Sequence, residues 1–407
     1  MIPSIRGTRD ILPAEVGRWQ RVEGVARDLC ARYGYAEVRT PVIEREELFA
    51  KGTGESTDIV QKEMYAFTDK GGDRITLRPE ATPSMVRSFV EHALEQELPC
   101  AKLYSLGPMF RYERPQKGRY RQFDQIGAEC FGMSGPDIDA ELLLMCARLW
   151  QKLGISDGVS LELNSLGTAE SRATYKEALV EYLSKVKDEL DEDSQRRLTT
   201  NPLRILDSKV PGTVKLLEDA PLLRDYIDDE SRQHLEGLCQ ILDEAGIAYT
   251  INPFIVRGLD YYNRTVFEWI TDSLGAQGTI CGGGRYDSLV EQIGGKPTPG
   301  VGFAMGMDRI ALMMESNFNF SAEADVYVAS IGQASRQAAL LIAEDIRTVF
   351  PNLRTIVHCG DGKFKAQLKR ANLTEAKVAL IVGENEFRTN LPLNSAVALY
   401  VHKTHLG

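Results

Sequence analysis

The chain is 407 residues long, 43% apolar and 26% charged, which exceeds what one hydrophobic core supports and excludes a disordered or fibrous protein, so two or three globular domains are expected. Its formal net charge of −10 excludes indiscriminate coating of nucleic acid, because such binding is driven by phosphate neutralisation. Seven cysteines, widely spaced and never in a C-x-x-C pair, argue against a disulfide framework or a zinc site and for a cytoplasmic protein with reduced thiols.

In chain order, Met1 to Asp10 carries no apolar leader core, and no apolar run approaches membrane-spanning length. Val16, Trp19, Val22, Val25, Ala26 and Leu29 recur at helical spacing and predict a helix over Glu15 to Tyr33, which turns at Gly34 into an extended Tyr35 to Val42. Apolar segments from Leu103 to Phe110 and from Phe123 to Ala128 read as two antiparallel strands, joined by a loop that Pro115 and Gly118 keep from being helical. Helical stripes follow over Arg172 to Leu190 and Ser231 to Ala245. The region 168–247 is helical, charged and strand-poor, and reads as an insertion between a first part, 1–167, and its continuation, 248–322. Tyr249 to Ile255 and Thr265 to Ile270 are strand-like. After a boundary at Glu323 and Ala324, residues 325–407 alternate as βαβαβ: Val326 to Ile331, Arg336 to Phe350, Arg354 to His358, Phe364 to Asn372 and Val378 to Val382. That tail holds ten Lys plus Arg against seven Asp plus Glu, a net of +3, which leaves −13 for residues 1–324. A basic tail on an acidic body points to a nucleic acid bound at particular places.

The chemistry concentrates between Phe110 and Glu129, FRYERPQKGRYRQFDQIGAE, where five cationic side chains fall in one short stretch. Strand alternation puts Arg121, Phe123, Gln125, Gly127 and Glu129 on one face and Gln122, Asp124, Ile126 and Ala128 on the other. With Arg111 entering from the neighbouring strand, the first face offers a ring for a heterocycle, a guanidinium fork for phosphate and a carboxylate for an ammonium or N–H donor. A solvated, salt-bridged hairpin is the plain alternative for such a face. None of the five histidines sits in a motif, and His402-x-x-His405, although spaced like a ligand pair, reads as surface near a terminus.

This hairpin resembles the second signature motif of class II aminoacyl-tRNA synthetases, a strand-loop-strand with arginine in F-R-x-E. Gly300 to Leu312 (GVGFAMGMDRIAL) resembles the third motif, and Tyr35 to Glu44 (YAEVRTPVIE), with Pro41, resembles the first, the one that builds the dimer interface. Val256 to Trp269 (VRGLDYYNRTVFEW) and Ala276 to Leu289 (AQGTICGGGRYDSL) resemble motifs of the histidyl-tRNA synthetases, as do IRGTRDILP at the start, LRPEATP at Leu77 to Pro83 and LNSLG at Leu163 to Gly167. The resemblance covers nearly the whole chain. It implies an α+β catalytic domain with a mostly antiparallel sheet, a helical insertion, and a C-terminal α/β anticodon-binding domain, with the glycine run Gly282 to Gly284 as a strand-edge floor under the ligand.

Carried over by position, the resemblance implies a homodimer that joins L-histidine to its tRNA at the expense of ATP, with Mg²⁺ riding on the phosphates and the tRNA held at acceptor stem and anticodon. Arg111 and Arg257 would flank the α-phosphate and reacting carboxylate. Phe123 and Arg309 would sandwich the adenine and the far phosphates, with Glu113 and Arg119 also at ATP. Glu80, Thr82 and Gln125 would hold the α-ammonium, and Glu129 and Tyr262, supported by Tyr261, the imidazole. Arg114, Lys117, Lys363, Lys365, Lys369 and Arg370 would meet tRNA. Asp124 departs from the histidine that many bacterial members carry, but on the alternation above it faces away from the pocket. Leu391 to Gly407 does not clearly match the closing strand and helix of the anticodon-binding domain. One competing reading is a histidine-sensing regulatory paralogue of ATP phosphoribosyltransferase. Such paralogues usually lack the tail domain and erode the ATP arginines, whereas Arg111, Arg257 and Arg309 are present here. A second competitor, a nucleotide-dependent oxidoreductase, lacks a G-x-G-x-x-G followed by a correctly spaced acid.

Overall fold

The structure, a computed structural model, describes residues 2–55, 57–98, 100–314, 324–360, 362–383 and 398–400. The chain divides into two compact units, Met1–Asp10 with Arg18–Phe318, and Ile11–Gly17 with Asn319–Gly407. Helix α1 (Pro13–Arg32) buries Trp19, Val22, Val25, Ala26, Leu29 and Cys30, the stripe its spacing predicts. Beyond it, the extended segment expected over Tyr35 to Val42 is broken: only β1 (Ala36–Glu37) pairs, and Pro41 precedes a separate β2 (Ile43–Arg45). Helix α2 (Glu46–Thr53), β3 (Tyr65–Thr68) and β4 (Arg74–Leu77) follow, and β2, β4 and β3 make a small antiparallel sheet.

Helices α3 (Thr82–Glu91) and α4 (Leu94–Glu97) lead into the long hairpin β5 (Ala101–Phe110) and β6 (Gln122–Phe131). Helix α5 (Pro136–Leu153) and β7 (Ser160–Ser165) come next. The chain then makes α6 (Ala169–Lys185), α7 (Glu192–Thr200), α8 (Pro211–Leu217) and α9 (Asp229–Glu244) without a strand among the described residues. Three of these helices start alike: Thr168, Asp191 and Asp228 each accept a hydrogen bond from the backbone N–H of the serine three residues on, at 3.2, 3.0 and 2.8 Å. The helix expected to run to Leu190 stops at Lys185, where the β-branched Val186 leaves the helical path before a short 3₁₀ turn.

Strands β8 (Thr250–Ile251), β9 (Asn263–Ile270) and β10 (Thr279–Arg285), helix α10 (Leu289–Gln292), β11 (Gly300–Gly306) and α11 (Met307–Met313) complete this unit. The strand expected over Tyr249 to Ile255 is reduced to two paired residues, because Pro253 ends the pairing. The eight-stranded sheet has the order β1-β5-β6-β11-β10-β9-β7-β8, antiparallel except for its two outermost pairs. β10 lies between β9 and β11, so the glycine run Gly282 to Gly284 is in the interior of the sheet and not at a strand edge.

A buried ionic cluster fastens this sheet to the helices behind it. Arg285 at the end of β10 and Asp139 of α5 are both fully buried, 2.9 Å apart, and His234 of α9 meets the same carboxylate at 2.7 Å. The guanidinium also donates to the carbonyls of Met133 and Gly135, so the burial of a charge is matched by partners on several sides.

In the second unit β12 (Val326–Ser330), α12 (Ala334–Val349), β13 (Thr355–Val357), α13 (Phe364–Leu373) and β14 (Val378–Val382) alternate. The sheet order is β13-β12-β14-β15, parallel for the first three strands, with β15 (Ala398–Tyr400) antiparallel at the edge. Apart from β15, the divergent stretch 391–407, with His402 and His405, lies outside the described residues. Among the described residues no helix is long and apolar enough to cross a membrane.

Candidate active site

On one face of the large sheet the interior strands surround a cavity of about 180 Å³. Its lining comes from segments far apart in sequence: Glu80 and Thr82 at the entry to α3; Arg111, Glu113 and Arg119 beyond β5; Phe123 and Gln125 on β6; Arg257, Tyr261 and Tyr262 before β9; Gly282 on β10; and Arg309 on α11. Every residue singled out from the sequence for amino acid or ATP is there except Glu129.

Glu129 stands behind the wall, 1% exposed. Thr82 Oγ1 donates to its Oε1 at 2.7 Å and the Tyr286 hydroxyl donates to its Oε2. Burial pushes its carboxyl up to about 8, although the two hydroxyls oppose the shift. Gly302, opposite on β11, is what leaves room for it: a methyl group there would land on the Glu129 carboxylate. Glu80 is built the same way, accepting from Thr53 Oγ1 at 2.7 Å and from the Tyr261 hydroxyl at 2.9 Å, and burial raises its pKa as well. Gln125 Oε1 is buried without a hydrogen-bond partner among the described residues, so the cavity contains an acceptor awaiting a donor.

The cations are held by backbone carbonyls and by two carboxylates. Arg111 donates Nε to the Pro79 carbonyl at 2.8 Å and sets its guanidinium 5.4 Å from the Phe123 ring centre. Arg257 pairs with Glu268 of β9, which also accepts from Thr279 Oγ1 at 2.9 Å. Burial opposes the charge of Arg257, but Glu268 outweighs it and raises the pKa. Gly282 makes this pairing possible, since a Cβ there would stand 2.6 Å from the guanidinium nitrogens. Arg309 donates to the carbonyls of Gly118 and Thr279, and burial with Arg119 and Arg111 nearby brings its pKa down to about 10. Arg119 pairs with Glu113. Four partly buried arginines converging on one space make a site suited to an anion of several charges.

Strand alternation does not hold for Arg121. It precedes β6, stacks 3.8 Å from the Tyr112 ring and bonds the Glu113 carbonyl, away from the cavity. Its backbone N–H is taken by Gly7, which ties the N-terminal segment to the hairpin. That segment also explains IRGTRD: Arg9 pairs with Asp308 of α11 at 3.1 Å and lies over Tyr120. Asp124 faces Asp308 and Arg78, not the cavity. Arg114 and Lys117 are exposed on the connection, which closes as a tight turn between Gln116 and Arg119. In the second unit Lys363, Lys365, Lys369 and Arg370 are exposed at the start and along α13, with Arg370 lining a shallow pocket beside Tyr327 and His358.

Thr53, Glu268 and Tyr286 have site roles that sequence reasoning does not assign. Tyr286 and Glu268 lie within the quoted motifs, and a buried acid without a designated donor is the signal that a hydroxyl has to be found for it.

A family model described as histidyl-tRNA synthetase matches residues 7–310. The chain is 36% identical to the apo histidyl-tRNA synthetase of S. aureus, with a TM-score of 0.78 over 96% of this chain and 93% of that one. The fold is shared at 18% identity with an ATP phosphoribosyltransferase regulatory subunit/histidyl-tRNA synthetase from Bacillus halodurans, TM-score 0.67 over 91% and 96%. It is shared at 20% with a histidyl-tRNA synthetase from Nostoc sp. PCC 7120, TM-score 0.67 over 95% and 92%. The sheet and the motifs on it are thus the catalytic fold of the class II aminoacyl-tRNA synthetases, followed by a C-terminal domain. Within that class the chain belongs to the histidyl-tRNA synthetase family.

Proposed function

We propose that this protein activates L-histidine with ATP, ATP carrying Mg²⁺, and transfers it to the 3′ end of histidine tRNA, as a cytoplasmic homodimer. The observation that carries the reading is the convergence of Arg111, Arg257 and Arg309 on the cavity that also holds Glu80, Gln125, Tyr261 and Tyr262. A histidine sensor has use for the second group alone. Activation requires both.

In this reading the substrate carboxylate attacks the α-phosphorus of ATP, the bond to the bridging oxygen of the β-phosphate breaks, and pyrophosphate leaves with both electrons of that bond. Arg111 and Arg257 offset the repulsion between the two anions, and Arg309 takes charge developing on the departing phosphates. Phe123 stacks the adenine, with Glu113 and Arg119 beside it. Glu80, Thr82 and Gln125 hold the α-ammonium, whose N–H satisfies the orphaned Gln125 oxygen. Tyr262, supported by Tyr261, meets the imidazole, and Glu129 acts on the site from behind through the hydroxyl of Thr82, with Tyr286 fixing the carboxyl group. An analogue without ring nitrogens would leave these buried groups unpaired, so discrimination is expected without editing. Transfer draws on Arg114 and Lys117 at the acceptor end and on the α13 cations at the anticodon.

The second reading, a regulatory paralogue, is favoured only by a fold shared at 18% identity with the Bacillus halodurans protein. Histidine-dependent exchange of pyrophosphate into ATP separates the two. Exchange by the purified dimer, followed by charging of histidine tRNA, supports the synthetase; histidine binding without exchange supports the sensor.

A further inference from the structure

The loop that carries Arg257, Tyr261 and Tyr262 has open space on both sides. One side is the cavity already described. On the other is a second cavity of about 280 Å³, between the loop and the helical insertion, lined by Leu166, Arg172 and Arg204 among others, and shared with Arg257 and Leu259. Tyr261 and Tyr262 pack their rings into the core, but a segment with a cavity on either side is not close-packed throughout, so its position depends on discrete polar contacts as well. Those contacts can be named. The Asp260 N–H bonds the Thr53 carbonyl at 3.0 Å, and the Tyr261 hydroxyl bonds Glu80. From the insertion, Arg172 in the first turn of α6 crosses the gap and donates to the carbonyl of Tyr262. Two residues further on, Arg264 has the left-handed φ of 48° that disfavours a side chain, and it is held there by backbone bonds with Gly167 and Leu166 and by Glu230 of α9 at 2.7 Å.

We propose that Arg172 is a positioning residue for the amino-acid pocket, through which the insertion sets the placement of Tyr262. The proposal rests on the reading of this cavity as a histidine site. A guanidinium bonded to a carbonyl in a mostly buried place is a strong contact. Losing it leaves the Tyr262 carbonyl unpaired beside an open cavity into which the loop can move. The effect should fall on the amino acid and spare ATP: Arg111 and Arg309 are anchored to Pro79, Gly118 and Thr279, off this loop, and Arg257, although on it, is held at its guanidinium by Glu268 of β9.

The test uses the full chain and two readouts, calorimetric binding of L-histidine and of ATP, and pyrophosphate exchange without tRNA. Arg172→Ala is expected to weaken histidine binding about tenfold while ATP binding shifts less than about twofold. Arg172→Lys, which keeps the charge and a donor, should recover part of the loss. Lys176→Ala, one turn along α6 and exposed on the same cavity, should bind histidine as the parent does. Unchanged histidine binding in a folded Arg172→Ala overturns the proposal, as does an equal loss of both ligands with a lowered melting temperature. Should Arg172→Ala not fold, Arg172→Lys decides: histidine binding equal to the parent overturns it. A parent that binds histidine but does not exchange refutes the synthetase reading and leaves this one standing. A parent that binds no histidine refutes both.

Discussion

Glu129 is a carboxylic acid held where its ionised form is costly, and its protonation is coupled to folding. In the unfolded chain it ionises near pH 4.3, in the folded protein at about 8. A raised acid contributes stability that is complete below the unfolded pKa and lost as pH rises through the folded one. Between those two values Glu129 therefore makes stability fall with rising pH, by at most about 1.4 kcal/mol per unit. Glu129→Gln is expected to flatten that decline, read from urea midpoints across pH 5 to 8; parallel profiles for variant and parent would show that the group does not titrate as the burial implies. Gly282 is a residue-scale test of the cation site. Gly282→Ala puts a methyl against the Arg257 guanidinium, the mobile end of a side chain, and not against backbone. Under the proposed function, exchange should drop by roughly ten- to a hundredfold with little change in stability, as displacement of a catalytic group would cause. Full activity in this variant would mean that Arg257 acts from another position.

Among elements, the clamp between β10, α5 and α9 has the largest expected mutational cost. Asp139→Ala removes the fully buried carboxylate that Arg285 and His234 share and leaves Arg285 only Asp287, at 3.2 Å, as an ionic partner among the described residues, a change expected to cost about 3–5 kcal/mol. A urea midpoint close to the parent's would show that Asp287 and the carbonyls of Met133 and Gly135 suffice to hold the guanidinium. The same cluster marks a boundary of what sequence reveals. Helix α1 and strands β9, β12 and β14 are legible within a residue or a few, because apolar spacing records a buried stripe directly. The short strands β1 and β8 are not, because pairing there is cut off by prolines and neighbours that periodicity does not register. At the site, motif resemblance locates Glu80, Arg111, Phe123, Gln125, Arg257, Tyr262 and Arg309 around one cavity. It cannot reveal that Glu129 lies behind the wall, or that Tyr286 and Thr82 engage it, since those facts belong to three segments meeting in space. Arg121 is misplaced for a related reason: alternation holds only inside a strand, and β6 begins one residue later.

Over the whole molecule the cavity belongs entirely to the first unit, while the exposed cations of α13 belong to the second. Under the proposed function, substitutions in the second should therefore change tRNA affinity without changing exchange. Lys365→Ala with Lys369→Ala is expected to weaken tRNA binding and to lower the slope of log affinity against log salt by about 1 to 2, leaving pyrophosphate exchange at the parental rate. An unchanged salt slope would remove these lysines from the interface. The order of strands in the large sheet has a consequence in time. Ala128 on β6 pairs with Phe303 on β11, 175 positions later, so the central hydrogen-bond ladder cannot close until nearly three quarters of the chain has been made. At roughly 5–20 residues per second, the growing chain on a ribosome presents an unpaired β6 edge for roughly 10–35 seconds. During that interval the four helices of the insertion can already have formed from local contacts, while a bare strand edge waits beside them. Overexpression faster than the late strands can arrive should therefore lose this protein to edge-to-edge association before its central cavity exists.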